Sequence, residues 1–329
     1  MQHALPDDET VRSVITLALR APSIHNSQPW RWVLGDNSMH LFADPYRHLP
    51  ITDPDGRDLL VSCGAALHHL RVAFAAVGWA TTVHRVPNPA QPDHLAAVEC
   101  FPRAATAGDI ALAAAIPHRR TDRRRFSSWA VPARLLDTLA ERAAGQGAVF
   151  ARITDPQHRL ELTAAIAEAA RQQAANPDYA TELAAWAGRS FIATEGVPAG
   201  NTLVQPARHG DTTMRAFPHG ELTDPESWEG DAGELIVLAT SSDDRMSQLR
   251  AGEALSAVLL AATELHLASC PLTQPLEVPI TRAVLRDQVL EGGAFPQIVV
   301  RVGWAPVGSN PLPTTPRRPL DDVLGRFPN

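Results

Sequence analysis

The sequence contains no lysine, so arginine supplies all 29 of the residues counted as lysine or arginine. This absence excludes a P-loop, which needs a phosphate-binding lysine, and any reaction that proceeds through a lysine Schiff base. A phosphate bound by this chain must therefore be held by arginine, hydroxyl groups and backbone amides. A GC-rich genome is the plainer explanation of the absence, but the restriction on chemistry is the same.

The sequence is also short of cysteine, of net positive charge and of long apolar runs. Cys63, Cys100 and Cys270 are far apart and odd in number, which indicates reduced thiols rather than a disulfide framework or a metal site. The net charge of -7 argues against a nucleic-acid partner. No run reaches the roughly 18 apolar residues of a membrane helix, and the polar stretch Met1–Glu9 does not resemble a signal peptide. We therefore expect a cytoplasmic protein with no membrane partner.

What is present is apolar material for one large core or two fused ones, since 45% of the 329 residues are hydrophobic. Two apolar helical runs resemble each other: one opens at Gly64-Ala65-Ala66-Leu67 and the other at Gly252-Glu253-Ala254-Leu255. Both runs are apolar nearly all round, which predicts buried helices. A β-like segment follows each run, so the order of elements favours an internal repeat over coincidence between alanine-rich helices.

The remaining pattern predicts an α+β fold. Helices are predicted over Asp8–Arg20, Asp58–Val77, Pro132–Ala144, Gln157–Ala175 and Met246–Leu267. Strands are predicted over Trp30–Leu34, Met39–Ala43, Leu95–Phe101, Glu234–Thr240 and Gln297–Trp304. Between Gly188 and Gly233 no period is visible, and a segment this long without structure is usually functional or mobile. From Pro306 a proline-rich tail is expected to run extended over the surface rather than to join the core.

A polar loop between the first predicted helix and strand is the first candidate for function. It reads Ala21-Pro22-Ser23-Ile24-His25-Asn26-Ser27-Gln28-Pro29-Trp30. The two prolines restrict the loop, and the short hydroxyl and amide side chains between them can contact a polar ring edge or a ribityl chain. A helix end followed by a rigid turn explains the same residues equally well.

A dense arginine run, His118-Arg119-Arg120-Thr121-Asp122-Arg123-Arg124-Arg125-Phe126, is the second candidate. Arginines around a threonine can grip a phosphate by charge-assisted hydrogen bonds. A solvated charged face is the main alternative, and a nucleic-acid contact is a weaker one in an acidic chain. The third candidate, Ser269-Cys270-Pro271-Leu272-Thr273-Gln274, by itself predicts only a turn after the second buried helix.

Together the three segments resemble the nitroreductase superfamily of FMN enzymes, in particular its fused Acg-type branch of actinobacteria, from about residue 10 to 325. Ordinary members are homodimers with FMN between the subunits. The resemblance implies a nitroreductase-like three-layer α/β/α fold in which two related halves of one chain mimic the homodimer, so that a monomer acts as a pseudo-dimer. The halves are expected at residues 1–105 and 106–305, with a lid-like insertion at about 188–233 and a tail at 306–329. Because the loop lies in the first half and the arginine run in the second, we expect one complete flavin site.

The resemblance also implies roles for individual residues. Arg119 and Thr121, with the neighbouring Arg120, would hold the FMN phosphate and ribityl chain, and Arg123 would lie near the N1 and O2 edge of the flavin. The expected contacts from the loop, from the turn near flavin N5 and from the basic pair of the tail are Ser23, His25, Asn26, Gln28, Pro271, Thr273, Gln274, Arg317 and Arg318. The turn has neither the glutamate nor the glycine found there in several family members, so its contact with N5 is the least secure of these. No residue is assigned as a catalytic acid or base, because flavin supplies the redox chemistry.

The expected activity is reduction of nitroaromatic or quinone-like small molecules by NADH or NADPH through FMN. The alternative is a protein that stores FMN under a closed lid and turns over little. The sequence does not choose between NADH and NADPH.

Overall fold

The computed structural model describes residues 5–190, 192–224 and 230–327, and it consists of two large β-sheets with helices packed on them. The expected α+β class is confirmed. The first part of the chain forms, in order, α1 (Asp8–Ala18), β1 (Trp30–Leu34), β2 (Ser38–Ala43), α2 (Arg57–Ala76), β3 (Trp79–Arg85), β4 (His94–Pro102) and α3 (Ala107–Ala115).

The second part begins with α4 and ends with a strand that returns to the first sheet. Its elements are α4 (Ala133–Ala144), β5 (Val149–Arg152), α5 (Pro156–Ala174), α6 (Pro177–Trp186), β6 (Arg208–His209), β7 (Thr212–Thr213), β8 (Glu234–Thr240), α7 (Arg245–Glu264), β9 (Ala268–Leu272), α8 (Gln274–Glu277), α9 (Pro279–Val284), β10 (Phe295–Gly303) and β11 (Leu324–Arg326).

The two sheets have the same arrangement of strands. The first has the order β11-β1-β2-β4-β3, and the second has the order β5-β8-β10-β9. Matched in chain order, β1, β2, β3 and β4 correspond to β5, β8, β9 and β10, and all neighbours among them are antiparallel. β11 is the exception, because it lies parallel to β1 at the edge of the first sheet.

Helices α2 and α7, 20 residues each, lie between the two sheets. α2 packs on the first sheet, α7 packs on the second, and the two helices pack on each other. They touch at Gly64 and Gly252: a Cβ at Gly64 would lie 2.0 Å from the Leu249 carbonyl oxygen, and a Cβ at Gly252 would lie 2.0 Å from that of Val61. Only glycine permits this close approach. α2 is long and apolar enough to cross a membrane, but it is mostly buried within the fold.

The structure corrects two expectations at the ends of elements. Residues 269–272, expected in a turn, belong to strand β9, which pairs with β10. The C-terminal tail does not merely run over the surface: β11 extends the first sheet, and Val323 is buried in the core of that sheet. The tail thus ties the end of the chain to its first part. All three cysteines are free and buried.

The irregular segment between Gly188 and Gly233 is packed more tightly than expected. Leu203 and Met214 belong to the hydrophobic core of the second sheet, and Val197 is also buried, whereas Ile192 is exposed. The segment contains the short antiparallel pair β6 and β7. Phe191, another apolar residue of the segment, lies outside the described residues.

Candidate functional site

The polar loop after α1 has an unusual backbone. His25, Asn26 and Gln28 have φ angles of 45°, 55° and 51°, in the left-handed region that residues other than glycine seldom adopt. Hydrogen bonds hold the loop in this shape: Ser23 Oγ accepts from the Gln28 amide at 3.0 Å, and Ser62 Oγ on α2 accepts from the Ile24 amide at 3.1 Å. Backbone strain of this kind concentrates at ligand-binding sites.

The loop borders two cavities that share walls. The larger, here called the wide cavity, encloses about 840 Å³ including its open mouth. The smaller, called the arginine chamber, encloses about 450 Å³. Ser23, His25, Thr121 and Arg123 line both, so the two spaces meet at these residues.

The arginine chamber carries positive charge without a matching carboxylate. It is lined by Arg119, Arg123 and Arg317, and within the described part of the chain none of the three forms a salt bridge. Arg123 donates to the Asn201 carbonyl oxygen at 2.9 Å, and Arg317 donates only to backbone carbonyls, such as that of Leu19 at 2.9 Å. The chamber is therefore suited to an anion, whose charge would offset these cations.

The pKa values of these arginines reflect their surroundings. Burial, with the nearby cations of Arg120 and Arg20, lowers the pKa of Arg119 to about 10. Burial and Arg119 hold the pKa of Arg317 well below its usual range. An anionic ligand beside them would favour the charged form of both guanidinium groups and so raise both pKa values again.

Polar atoms without partners collect in the same chamber. His25 Nε2, Asn26 Oδ1, Asn201 Oδ1, and the Nε and Nη1 atoms of Arg119 are buried and make no hydrogen bond with any residue between 5 and 327 that the structure describes. Burial, together with the cations of Arg215 and Arg123, holds the pKa of His25 well below its usual range, so its ring is neutral. Buried polar atoms are rarely left unsatisfied in folded proteins, so their concentration here indicates a polar ligand.

The wide cavity is more apolar, and the irregular segment closes one side of it. Met214, Arg215 and Phe217 of that segment line the cavity. The Phe217 ring lies 4.9 Å from the Arg123 guanidinium carbon and 5.6 Å, edge to face, from the His25 ring. An apolar space between these groups is suited to a flat aromatic body that continues into the anion-binding chamber.

Arg215 fastens the irregular segment to the opposite wall of the wide cavity. Its guanidinium pairs with Glu277 on α8, donates to the Tyr179 hydroxyl on α6, and donates to Thr273 Oγ at 3.1 Å. Glu277 also accepts from Gln173 Nε2 and from Thr273 Oγ, each at 2.6 Å. The segment and the residues that follow β9 are therefore linked by one buried polar network.

The structure brings most of the residues singled out from the sequence to these two spaces. Those that line one or both are Ser23, His25, Asn26, Arg119, Thr121, Arg123, Pro271, Thr273, Gln274 and Arg317.

Three residues of the same set line neither space. Gln28 is buried in the loop, where its side chain bonds the Thr194 carbonyl and the Arg318 amide. Arg120 turns away toward Thr314, and the Arg318 guanidinium bonds the Asp322 carbonyl near Asp44.

Two residues of the wide cavity were missed by sequence reasoning. Arg215 lies in a segment without a period, so nothing in the pattern connected it with Glu277. Asp58 lines the cavity from the first turn of α2. A carboxylate at the start of a helix that is otherwise apolar all round was a signal that could have been used.

The fold and the site define an α+β protein with two similarly built sheets and a pair of adjoining cavities suited to a small molecule that has an anionic group and an apolar body. A relative in Mycobacterium tuberculosis that bears the provisional name NAD(P)H nitroreductase is 45% identical over 98% of this chain and 93% of its own. A second from the same species, provisionally named NAD(P)H nitroreductase Acg, is 39% identical over 98% of each chain. The chain therefore belongs to the nitroreductase family that includes Acg.

Family models and solved structures match this chain less well than its two relatives do. No family model matches the chain. A nitroreductase of Bacteroides fragilis solved with bound FMN is 15% identical, with a TM-score of 0.39 over 60% of this chain and 90% of its own.

Proposed function

We propose that this protein is an FMN-dependent oxidoreductase that uses NADPH or NADH to reduce nitroaromatic or quinone-like small molecules. The names of its relatives support this proposal. The observation that carries it is the arginine chamber, where cations without carboxylates and unsatisfied polar atoms adjoin an apolar cavity. FMN has a phosphate at one end and a flat ring at the other, and it would satisfy both parts.

The chain's own residues would hold the cofactor from both sides of the seam. Arg119, Arg317 and Thr121 would take the phosphate in the arginine chamber. Arg123 lines both spaces, so its charge can stabilise negative charge on the reduced ring as well. FMN would supply hydride transfer to and from the ring, while the protein binds, orients and shields it.

We propose one cofactor site per chain, in a monomer that acts as a pseudo-dimer and works in the cytoplasm. The equal strand orders of the two sheets and the reciprocal glycine contacts of α2 and α7 support the repeat. β3 ends at Arg85, and its counterpart β9 ends beside the wide cavity. Near the end of β3, Glu253 lies fully buried between Arg71 and Arg85. Glu253 thus neutralises the arginines near the end of β3, so that end of the first sheet needs no anionic ligand.

An FMN-storing protein with little turnover is the second candidate. The observation that favours it is the network of Arg215 with Glu277 and Tyr179, which fastens the irregular segment across the wide cavity. If that network keeps nicotinamide out, the bound flavin will not bleach when NADPH is mixed with the protein in the absence of oxygen. If the protein is an oxidoreductase, the flavin absorbance will fall within the mixing experiment.

The phosphate assignment is tested with Arg119→Ala. Removing one hydrogen-bonding partner of a charged group should weaken FMN binding by about 1.5–3 kcal/mol. Riboflavin lacks the phosphate, so its binding should change much less. Arg120→Ala is the matched control, because the neighbouring Arg120 turns away toward Thr314 and lines neither space. Equal losses for FMN and riboflavin, or equal effects of the two variants, would contradict the assignment.

A further inference from the structure

Asp58 is a buried carboxyl group that faces the wide cavity and receives no hydrogen bond. It lies in the first turn of α2 and is 2% exposed. Neither of its carboxylate oxygens has a hydrogen-bond donor among the described residues. The Arg57 guanidinium lies 2.6 Å from Oδ1, but it is not aligned for a hydrogen bond and supplies charge alone.

The charges around Asp58 do not balance. Asp53 and Glu277 are the other carboxylates that act on it, and Arg57 and Arg215 are the guanidinium groups that do so. Three carboxyl groups therefore face two arginines in a buried cluster, and His48 also acts on Asp53. Ionising all three would leave one negative charge uncompensated, so a buried cluster of this composition favours retention of one proton.

Asp58 is the member of the cluster on which that proton would remain. Burial raises the pKa of Asp53 as well, but Asp53 accepts hydrogen bonds from the amides of Asp58 and Leu59 at 2.9 and 2.8 Å, and such bonds oppose that shift by favouring its ionised form. Glu277 accepts from Gln173, Thr273 and Arg215. Burial, reinforced by Asp53 and Glu277 and opposed by Arg57, raises the pKa of Asp58 to about 8.

We propose that Asp58 carries a proton at neutral pH and donates it to the acceptor that is being reduced in the wide cavity. The proposal rests on the proposed function. It also rests on the geometry of the cavity, which Asp58 shares with His25, whose buried Nε2 lacks a partner within the described chain.

The proton completes a balanced reduction. A quinone that receives a hydride, originating from NADPH, needs one further proton to become a hydroquinone. The O–H bond of the Asp58 carboxyl breaks, a new O–H bond forms on the quinone oxygen, and the electron pair stays on Asp58 as a carboxylate. A proton from solvent then restores the acid. General acid catalysis of this kind contributes about 10²–10⁴-fold to a rate.

The first test detects the proton on the Asp58 carboxyl group directly and needs no cofactor. The infrared spectrum of the FMN-free protein at neutral pH should contain the C=O stretching band of a protonated carboxyl group. Asp58→Asn should remove that band, and Asp55→Asn, which changes an exposed aspartate three residues away, should leave it. Absence of the band in the unmodified protein at neutral pH, or its survival in Asp58→Asn, would overturn the proposal.

The second test separates proton donation from flavin reduction. With FMN bound, Asp58→Asn should lower kcat for a quinone by about 10²-fold, while anaerobic reduction of the flavin by NADPH, which needs only hydride, should change little. In the unmodified protein kcat should fall as the pH rises through the Asp58 pKa, and that fall should vanish in the variant. Asp58→Glu, which keeps the acid, should restore part of kcat. An unchanged kcat in Asp58→Asn would overturn the proposal. If the unmodified protein binds no FMN, the proposed function fails, and the infrared test still decides whether Asp58 holds a proton.

Discussion

Arg71 and Arg85 meet a carboxylate inside the fold, whereas Arg119 and Arg317 meet none. Glu253 on α7 is fully buried, accepts from Arg71 at 2.7 Å, and accepts from Arg85 at 2.6 and 2.9 Å. The arginines of the chamber donate to backbone carbonyls or leave nitrogen atoms without partners in the described chain. In the first group the charges are balanced within the fold, so its role is structural. In the second group, burying the arginines without an anion costs free energy, so their presence there points to an anionic ligand.

The largest expected loss of stability comes from removing Glu253 from its ion pairs with Arg71 and Arg85. Glu253→Gln removes a fully buried carboxylate from two partly exposed guanidinium groups, so the loss should stay below the about 3–5 kcal/mol of a fully buried ion pair. Urea unfolding of the FMN-free protein measures this loss. Glu264→Gln, at an exposed position on the same helix, should change the free energy of unfolding much less. Equal effects of the two variants would show that Glu253 is not a counter-ion.

An added anion that binds the arginine chamber should stabilise the folded protein. Inorganic phosphate should raise the Tm of the FMN-free protein, because a ligand present at 100 times its Kd adds about 2.7 kcal/mol to the free energy of unfolding. Sodium chloride at equal ionic strength is the control for general salt effects. Arg119→Ala should abolish the gain, and Arg120→Ala should keep it. A gain of the same size in Arg119→Ala would place the anion elsewhere.

The free energy of unfolding should fall in acid, because a buried histidine near Arg119 cannot readily take up a proton in the folded state. His69 is fully buried beside Ser256, and burial together with the Arg119 cation holds its pKa well below the usual value. In the unfolded chain its pKa is about 6.5. Below that pH only the unfolded state takes the proton, so the stability is present at neutral pH and is lost as the pH falls, by at most about 1.4 kcal/mol per pH unit. His69→Asn should flatten this fall, whereas replacement of the exposed His118 by asparagine should not. A fall as steep in His69→Asn would be evidence against this assignment.

The smallest effect concerns the pairing of Arg215 in the wide cavity. Lysine at this position can reach Glu277 or the Tyr179 hydroxyl but not both, because it lacks the forked guanidinium. Loss of one hydrogen bond costs about 1 kcal/mol, which raises the open population of the irregular segment about fivefold. Iodide should then quench the bound flavin faster in Arg215→Lys. Arg189→Lys, at an exposed position in the same segment, is the control. Unchanged quenching would mean that Arg215 does not hold the segment closed.

The long apolar helices of the fold were predictable because a helix that is buried on all sides has apolar residues on all its faces. α2 and α7 are apolar nearly all round, and both were expected within a few residues of their observed ends. β9 was missed because it contains Pro271, which is tolerated in a strand only at a sheet edge, and β9 is an edge strand. β11 has three residues, too few to show a pattern before the fold brings them beside β1.

The site was predictable where a local motif carries it. The loop around His25 and the run around Arg119 could be read as segments, but an irregular run does not reveal that Arg119 faces inward and Arg120 outward. Arg215 was not predictable as a member of the site, because its partner Glu277 lies on an element far away in the chain. For Asp58 the sequence shows only a carboxylate at the start of an apolar helix, and the packed structure brings it near Arg215 and Glu277.

The central claim is that the uncompensated arginines of the chamber hold one FMN per chain, while Glu253 neutralises Arg85 near the end of β3. Measuring the flavin released on denaturing the purified protein, per mole of chain, tests this claim most directly. We predict one FMN per chain. Two would contradict the single site, and none, even after reconstitution with excess FMN, would contradict the cofactor assignment itself.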